Sequence, residues 1–172
     1  MRFIFFFTLL VIIVGCKPEK KRHTLQELEK DKEILARVNK VLVEEDRTII
    51  EGYIKRHKLD AMQETGTGLF YLVWGEPKGD IIKTGNIVEF NYKITLLDGR
   101  LCYQSELNNP KKFKVGQGGV ESGLEQAVLL MHPGQKGKFI LPPHLAYGLL
   151  GDEKTIPSRS IIVYDIEMLN AY

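Results

Sequence analysis

The four histidines are the natural place to look for metal or acid–base chemistry. His23, His57, His132 and His144 are not spaced as metal pairs, and no cysteine cluster joins them. Gly116-Gln117-Gly118-Gly119 is glycine-rich, but no Gly-Lys-Ser/Thr follows to cradle a phosphate. No Gly-x-Ser-x-Gly offers a nucleophile elbow. The carboxylates are scattered over polar faces, where solvation accounts for them. What remains is apolar and aromatic. Residues 139–167 contain Phe139-Ile140-Leu141-Pro142-Pro143, then Ala146-Tyr147-Gly148, then Ile156-Pro157, then Ile162-Val163-Tyr164-Asp165-Ile166-Glu167. Two apolar strands thus flank a long loop that carries aromatic and aliphatic side chains. Such a loop, without acids or metal ligands, makes a pocket that binds rather than a site that attacks. No metal and no cofactor is expected.

The elements that position these residues can be read from hydrophobic period. Ile87 to Leu96 is the clearest strand, with Val88, Phe90, Tyr92, Ile94 and Leu96 alternating with polar residues. One face is buried and one is wet, as in an antiparallel sheet. Asp98-Gly99 marks a hairpin, and Leu101 to Tyr103 returns. Further strands are expected at 69–74, 113–115, 136–141 and 160–169. Val120, Leu124, Ala127, Val128 and Met131 lie on one helical face, with Ser122 as N-cap; His132-Pro133-Gly134 ends that helix. The domain is α+β, with five or six antiparallel strands and one helix.

The first 62 residues are organised differently. Phe3 to Val14 is an almost unbroken apolar run, too short to span a bilayer, where about 20 residues are needed. It ends in Ile13-Val14-Gly15-Cys16 and is followed by a charged stretch. Residues 1–15 are expected to be a signal peptide, 16–23 a tether, 24–62 a helical extension and 68–172 the main domain. Thr24 and Glu27 match a capping box. Leu25, Leu28, Leu35, Val38 and Leu42 recur at helical spacing, and Ile49, Ile50, Tyr53 and Ile54 continue the face. This predicts two helices or one broken helix, the break falling near residues 43–47. The stripe has two partners open to it. Packing on the following domain, in a monomer, is favoured; a dimer seam is the alternative. The formal charge of +2 is too small to argue for nucleic acid. Cys16 and Cys102 are the only cysteines, and no disulfide is expected.

From about Gly68 to Leu169 the chain resembles FKBP-type peptidyl-prolyl isomerases. The resemblance is carried by Val88-Glu89-Phe90-Asn91-Tyr92, Asp98-Gly99, Phe113-Lys114-Val115-Gly116, Val120, Gly123-Leu124-Glu125, Pro133-Gly134-Gln135, Ala146-Tyr147-Gly148, Ile156-Pro157 and Val163-Tyr164-Asp165-Ile166-Glu167. It implies an antiparallel half-barrel wrapped on the 120–131 helix, with a prolyl groove between them. By that likeness Tyr92, Tyr147 and Tyr164 carry catalysis. Val120, Glu121, Leu124, Ile156, Cys102 and Tyr103 contact substrate. The Glu121 backbone N–H and the Tyr147 hydroxyl would bind substrate carbonyls. The chain departs from the family where active members carry Phe-Asp, here Cys102-Tyr103. Leu124 stands where a pocket-floor tryptophan is frequent, which predicts a roomier floor unless Tyr103 or Tyr164 fills it. Lys111 replaces an aromatic; Asp152 and Thr155 replace rim residues.

Cys16 and the residues before it resemble the lipobox of bacterial lipoproteins. The whole layout is similar to gliding-motility-associated FKBP-type lipoproteins of Bacteroidetes. That likeness implies lipidation at Cys16 and a lipid-anchored place in the bacterial envelope, at the outer membrane and facing the periplasm. The partners implied are proline-containing exported polypeptides. The expected function is isomerisation of prolyl bonds; the alternative is a non-catalytic peptide-binding chaperone or scaffold that supports gliding or secretion machinery.

Overall fold

The structure, a computed structural model, describes residues 25–106 and 108–172, with side chains from residue 29 onward. The expected signal peptide, Cys16, the tether and the Thr24 cap lie outside the described residues. The chain divides into two compact units, residues 1–37 and 38–172. In the first, Arg37 pairs with Glu33 one turn earlier at 2.6 Å, and Ile34 and Leu35 are exposed.

The helix α1 (Leu25–His57) is unbroken, which corrects the expected break. Residues 43–47 contain neither Gly nor Pro. Arg47 pairs with Glu51 at 3.4 Å across one turn, and the Thr48 hydroxyl donates to the Glu44 carbonyl at 3.0 Å. Basic Lys55, Arg56 and His57 end the helix, where they meet the negative end of its dipole.

The strands are β1 (Gln63–Glu64), β2 (Phe70–Trp74), β3 (Ile87–Leu96), β4 (Leu101–Gln104), β5 (Lys111–Lys114), β6 (Lys136–Leu141) and β7 (Ile162–Ala171). They form one antiparallel sheet in the order β1-β2-β6-β7-β3-β4, with β5 also paired to β3. Seven strands exceed the expected five or six because β1, two residues long, carries no local signal of its own. A second helix, α2 (Ser122–Val128), lies against the sheet.

Period-two alternation sends side chains of the same strand into two cores. Leu69, Val88, Phe90, Ile94, Phe139, Leu141, Ile162, Tyr164, Ile166 and Met168 join Leu124, Ala127 and Val128 of α2 in the main core. Phe70, Ile140, Ile161 and Val163 form a second cluster with Ile50, Tyr53 and Ile54 of α1. The later part of the apolar stripe therefore packs on its own domain. Within that stripe Ile49 and Val38 are exposed, so α1 docks through a narrower face than the sequence predicts.

A clip fastens the same stretch of α1 to the chain after Ile156-Pro157. The Arg159 guanidinium donates to Glu45 Oε2 at 2.9 Å, Asp46 Oδ1 at 3.3 Å and the Leu42 carbonyl at 3.4 Å. Asp46 is nearly fully buried. Burial pushes its carboxyl pKa above the usual range, and Arg159 opposes that rise.

The approach of α2 to β6 requires glycine at 123. A Cβ there would lie 2.5 Å from Leu141 Cδ2 and 2.7 Å from the Leu145 carbonyl oxygen.

Candidate functional site

Three pieces of chain converge on one side of the sheet: the inward residues of β3, β4 and β7, the start of α2, and the loop of residues 142–161. On β3 and β7, Tyr92 and Tyr164 point inward with ring centroids 6.1 Å apart and planes at 44°. Tyr164 is fully buried and Tyr92 half-buried. Lys111 of β5 sets its ammonium 5.4 Å from the Tyr92 ring centroid.

At the start of α2, Glu121 rather than Ser122 is the N-cap, with φ −61° and ψ 142°. Its carbonyl accepts the Leu124 and Glu125 N–H groups at 3.0 and 3.1 Å. Its side chain makes no cap bond. It turns instead to Tyr164, whose hydroxyl donates to Glu121 Oε2 at 3.2 Å. The preceding glycine loop is held from the helix by Glu125, which accepts the Gly116 and Gly118 N–H groups at 2.7 and 3.2 Å. That loop serves α2 rather than a phosphate.

The third piece begins with a 3-10 turn (Pro143–Leu145) that delivers half-buried Tyr147. The Gly148 N–H returns to the Pro143 carbonyl at 2.8 Å, a turn that needs the positive φ of +64°. Asp152 then organises the rest. Its Oδ1 accepts the N–H groups of Lys154, Thr155 and Ile156 at 3.0, 2.9 and 2.7 Å. Its Oδ2 accepts the Tyr103 hydroxyl. Asp152 thereby fastens the segment that carries Ile156 to β4. Burial opposes ionisation of this carboxyl. The Tyr103 hydroxyl and the three N–H groups outweigh it and hold the pKa at about 2.

The expected site residues are brought together. Leu124, Ile156 and Tyr164 lie in the main core, and Tyr92, Cys102, Tyr103, Val120 and Tyr147 pack against it half-buried. Leu124 and Tyr164 are both fully buried, so no open floor lies at the position of the absent tryptophan. Cys102 is unpaired among the described residues; burial raises its thiol pKa, and the thiol leans on the Arg100 carbonyl at 3.8 Å. His132 and His144 are engaged with the carbonyls of Gly79 and Thr67 at 2.9 and 3.0 Å.

Two features were missed in the sequence. Asp152 is more than a rim residue, and the Glu121 side chain, not only its backbone, faces the site. A signal for Asp152 exists in hindsight: Asp followed by Lys154 and Thr155 can bind its own backbone in an Asx turn. No spacing signals the turn of Glu121 toward Tyr164.

The electrostatics favour donors over bases. Burial first, then the Glu121 carboxylate, push the Tyr164 and Tyr147 hydroxyl pKa values far up. Burial and Glu121 also raise Tyr92, and the hydrogen bond to Asp152 raises Tyr103. Four protonated hydroxyls stand among apolar side chains at any physiological pH. Those of Tyr103 and Tyr164 already donate to Asp152 and Glu121, which leaves Tyr92 and Tyr147 to bind carbonyl oxygens; as phenols none supplies a nucleophile or a base.

The sequence model of the FKBP-type peptidyl-prolyl cis-trans isomerases matches residues 79–169, more than half of the chain. FK506-binding protein 2 of Dictyostelium discoideum is 39% identical over 88 residues, covering 51% of this chain and 66% of that protein. FKBP-type peptidyl-prolyl cis-trans isomerase FkpA of Escherichia coli is 35% identical over 114 residues, covering 66% of this chain and 41% of that one. The chain therefore spans less than two thirds of either relative. The crystal structure of Escherichia coli FkpA superposes with a TM-score of 0.61 at 31% identity, covering 87% of this chain and 74% of that one. The chain belongs to the FKBP-type peptidyl-prolyl cis-trans isomerase family.

Proposed function

We propose that this protein accelerates cis-trans isomerisation of prolyl bonds in exported polypeptides, from a lipid anchor at Cys16 in the bacterial envelope. The observation that carries the activity is the single apolar cluster that brings Tyr92, Tyr103, Tyr147, Tyr164, Val120 and Ile156 together, with every phenol in it held protonated. Rotation about an X-Pro amide is slow because resonance must be lost at the twisted geometry. An apolar wall favours the twisted amide, which has lost its resonance dipole, over the planar one. A thousandfold acceleration needs only about 4 kcal/mol of such preference. The Tyr147 hydroxyl and the Glu121 N–H would hold the carbonyls on either side. A protease-coupled assay on an X-Pro peptide tests this. Turnover is expected above background and lowered about tenfold in Tyr147→Phe, the loss of one such donor; no turnover at all rejects the enzyme.

A second reading is a peptide-binding chaperone without turnover, of the kind that supports gliding or secretion machinery. It is favoured by Glu121, whose carboxylate accepts the Tyr164 hydroxyl at 3.2 Å and so sets a charge on the wall that would have to favour an apolar, twisted amide. It predicts suppressed aggregation of an unfolded client in the absence of isomerase activity. The anchor has its own test: the wild-type chain should partition into detergent and incorporate labelled fatty acid, and Cys16→Ala should do neither.

A further inference from the structure

Glu121 spends its backbone on the helix start and its side chain elsewhere. The carboxylate lies against the Tyr164 hydroxyl at 3.2 Å, on a wall otherwise built of aromatic and aliphatic groups. A second carboxylate, Asp152, is fixed against the Tyr103 hydroxyl and the loop N–H groups. Among the described residues neither carboxylate forms an ion pair, whereas Glu33, Glu45, Asp46, Glu51, Glu64, Glu89, Asp165 and Glu167 all do. Lys111 of the neighbouring strand β5 is set over the Tyr92 ring instead.

An apolar peptide flank pressed onto such a wall strips water from carboxylates and returns no hydrogen bond. A lysine or arginine flank replaces that water with a charge-assisted bond. An acidic flank meets like charge, the repulsive element through which interfaces reject partners. We infer that the groove selects prolines adjacent to a lysine or arginine, with Glu121 as the specificity-determining residue and Asp152 reinforcing the same sign. The inference rests on the prolyl-groove reading and names its substrate class.

The test uses the full chain and three peptides that differ only in the residue before proline: lysine, leucine or glutamate. At low salt, kcat/KM for the lysine peptide should exceed that for the glutamate peptide about tenfold, and the gap should narrow at about 0.3 M salt. E121Q should cut the lysine-to-glutamate ratio to below about threefold, while E153Q, which removes an exposed charge on the 142–161 loop, should leave the ratio in place. Equal kcat/KM for the three peptides in the wild type overturns the inference, as does a ratio that E121Q leaves unchanged. Absence of turnover on all three rejects the isomerase, and fluorescence anisotropy of the same peptides then decides the preference. Tighter binding of the lysine peptide supports it; equal or undetectable binding overturns it.

Discussion

Tyr103 occupies the place where the family resemblance implies an aspartate, and its hydroxyl reaches an aspartate from another loop. A carboxylate is therefore still present near this position, delivered by Asp152 at the tip of the Tyr103 ring. Tyr103→Asp would withdraw the hydroxyl from Asp152 Oδ2 and replace it with a shorter side chain of like charge. That substitution should loosen the 152–156 segment rather than raise turnover, read as a faster exchange of the Ile156 amide proton. The native pair also makes a pH prediction. The Asp152 pKa is about 2 in the fold, below the value of about 3.9 for an unfolded aspartate. Its contribution is thus fully present above about pH 4 and is lost as pH falls through about 2. Asp46 is shifted the other way, so its contribution is largest at low pH and declines as pH rises through its folded value. Global stability mixes the two signs. The Ile156 amide shift is the clean readout: it should titrate with a midpoint near pH 2, and Asp152→Asn should abolish that step.

At the scale of elements, the sequence shows where structure repeats and fails where a choice between adjacent residues is needed. Strand β3 was legible to the residue, because its alternation is strict and Val88, Phe90 and Ile94 are buried as the pattern requires. Helix α1 was legible as a helix, but Ile49 and Ile50 are equivalent on paper; the sheet face that Ile50 meets decides between them. Ile50→Ala should cost about 3 kcal/mol in denaturant unfolding, and Ile49→Ala less than about 0.5. The Ser122 cap was a reasonable expectation by residue type. It lost because Glu121 takes the cap backbone geometry, and local sequence does not reveal which of two neighbours turns first. The contact between α2 and β6 gives a further check. Gly123→Ala should destabilise by about 2 kcal/mol, since the Leu145 carbonyl at 2.7 Å is backbone and yields poorly.

Over the whole molecule, the sheet has apolar residues on both faces, one covered by α2 and the groove, the other partly covered by α1. The apolar runs Phe139-Ile140-Leu141 and Ile162-Val163-Tyr164 of β6 and β7 put apolar side chains on both faces; that Ile140 and Val163 are covered by α1 is long-range information. Amide exchange should record this unevenness. Along α1, protection should be slight over residues 29–41, where apolar side chains are largely exposed, and should approach that of the sheet over residues 46–54.

Trp74 is the chain's single tryptophan. It ends β2 on the face away from the groove, beside Asn91, Lys93, Asp165 and Glu167, and it pairs with Lys136 at the end of β6 farthest from the 142–161 loop. Its indole is half exposed to water. The groove, with leucine at 124, holds only tyrosines. The protein is thus divided optically as well as structurally: tryptophan emission reports the outer sheet, and of the seven tyrosines the four at 92, 103, 147 and 164 are the ones a peptide in the groove would perturb. A peptide titration followed at the indole should be silent even at saturation, while ultraviolet difference spectra of the tyrosines should follow occupancy directly.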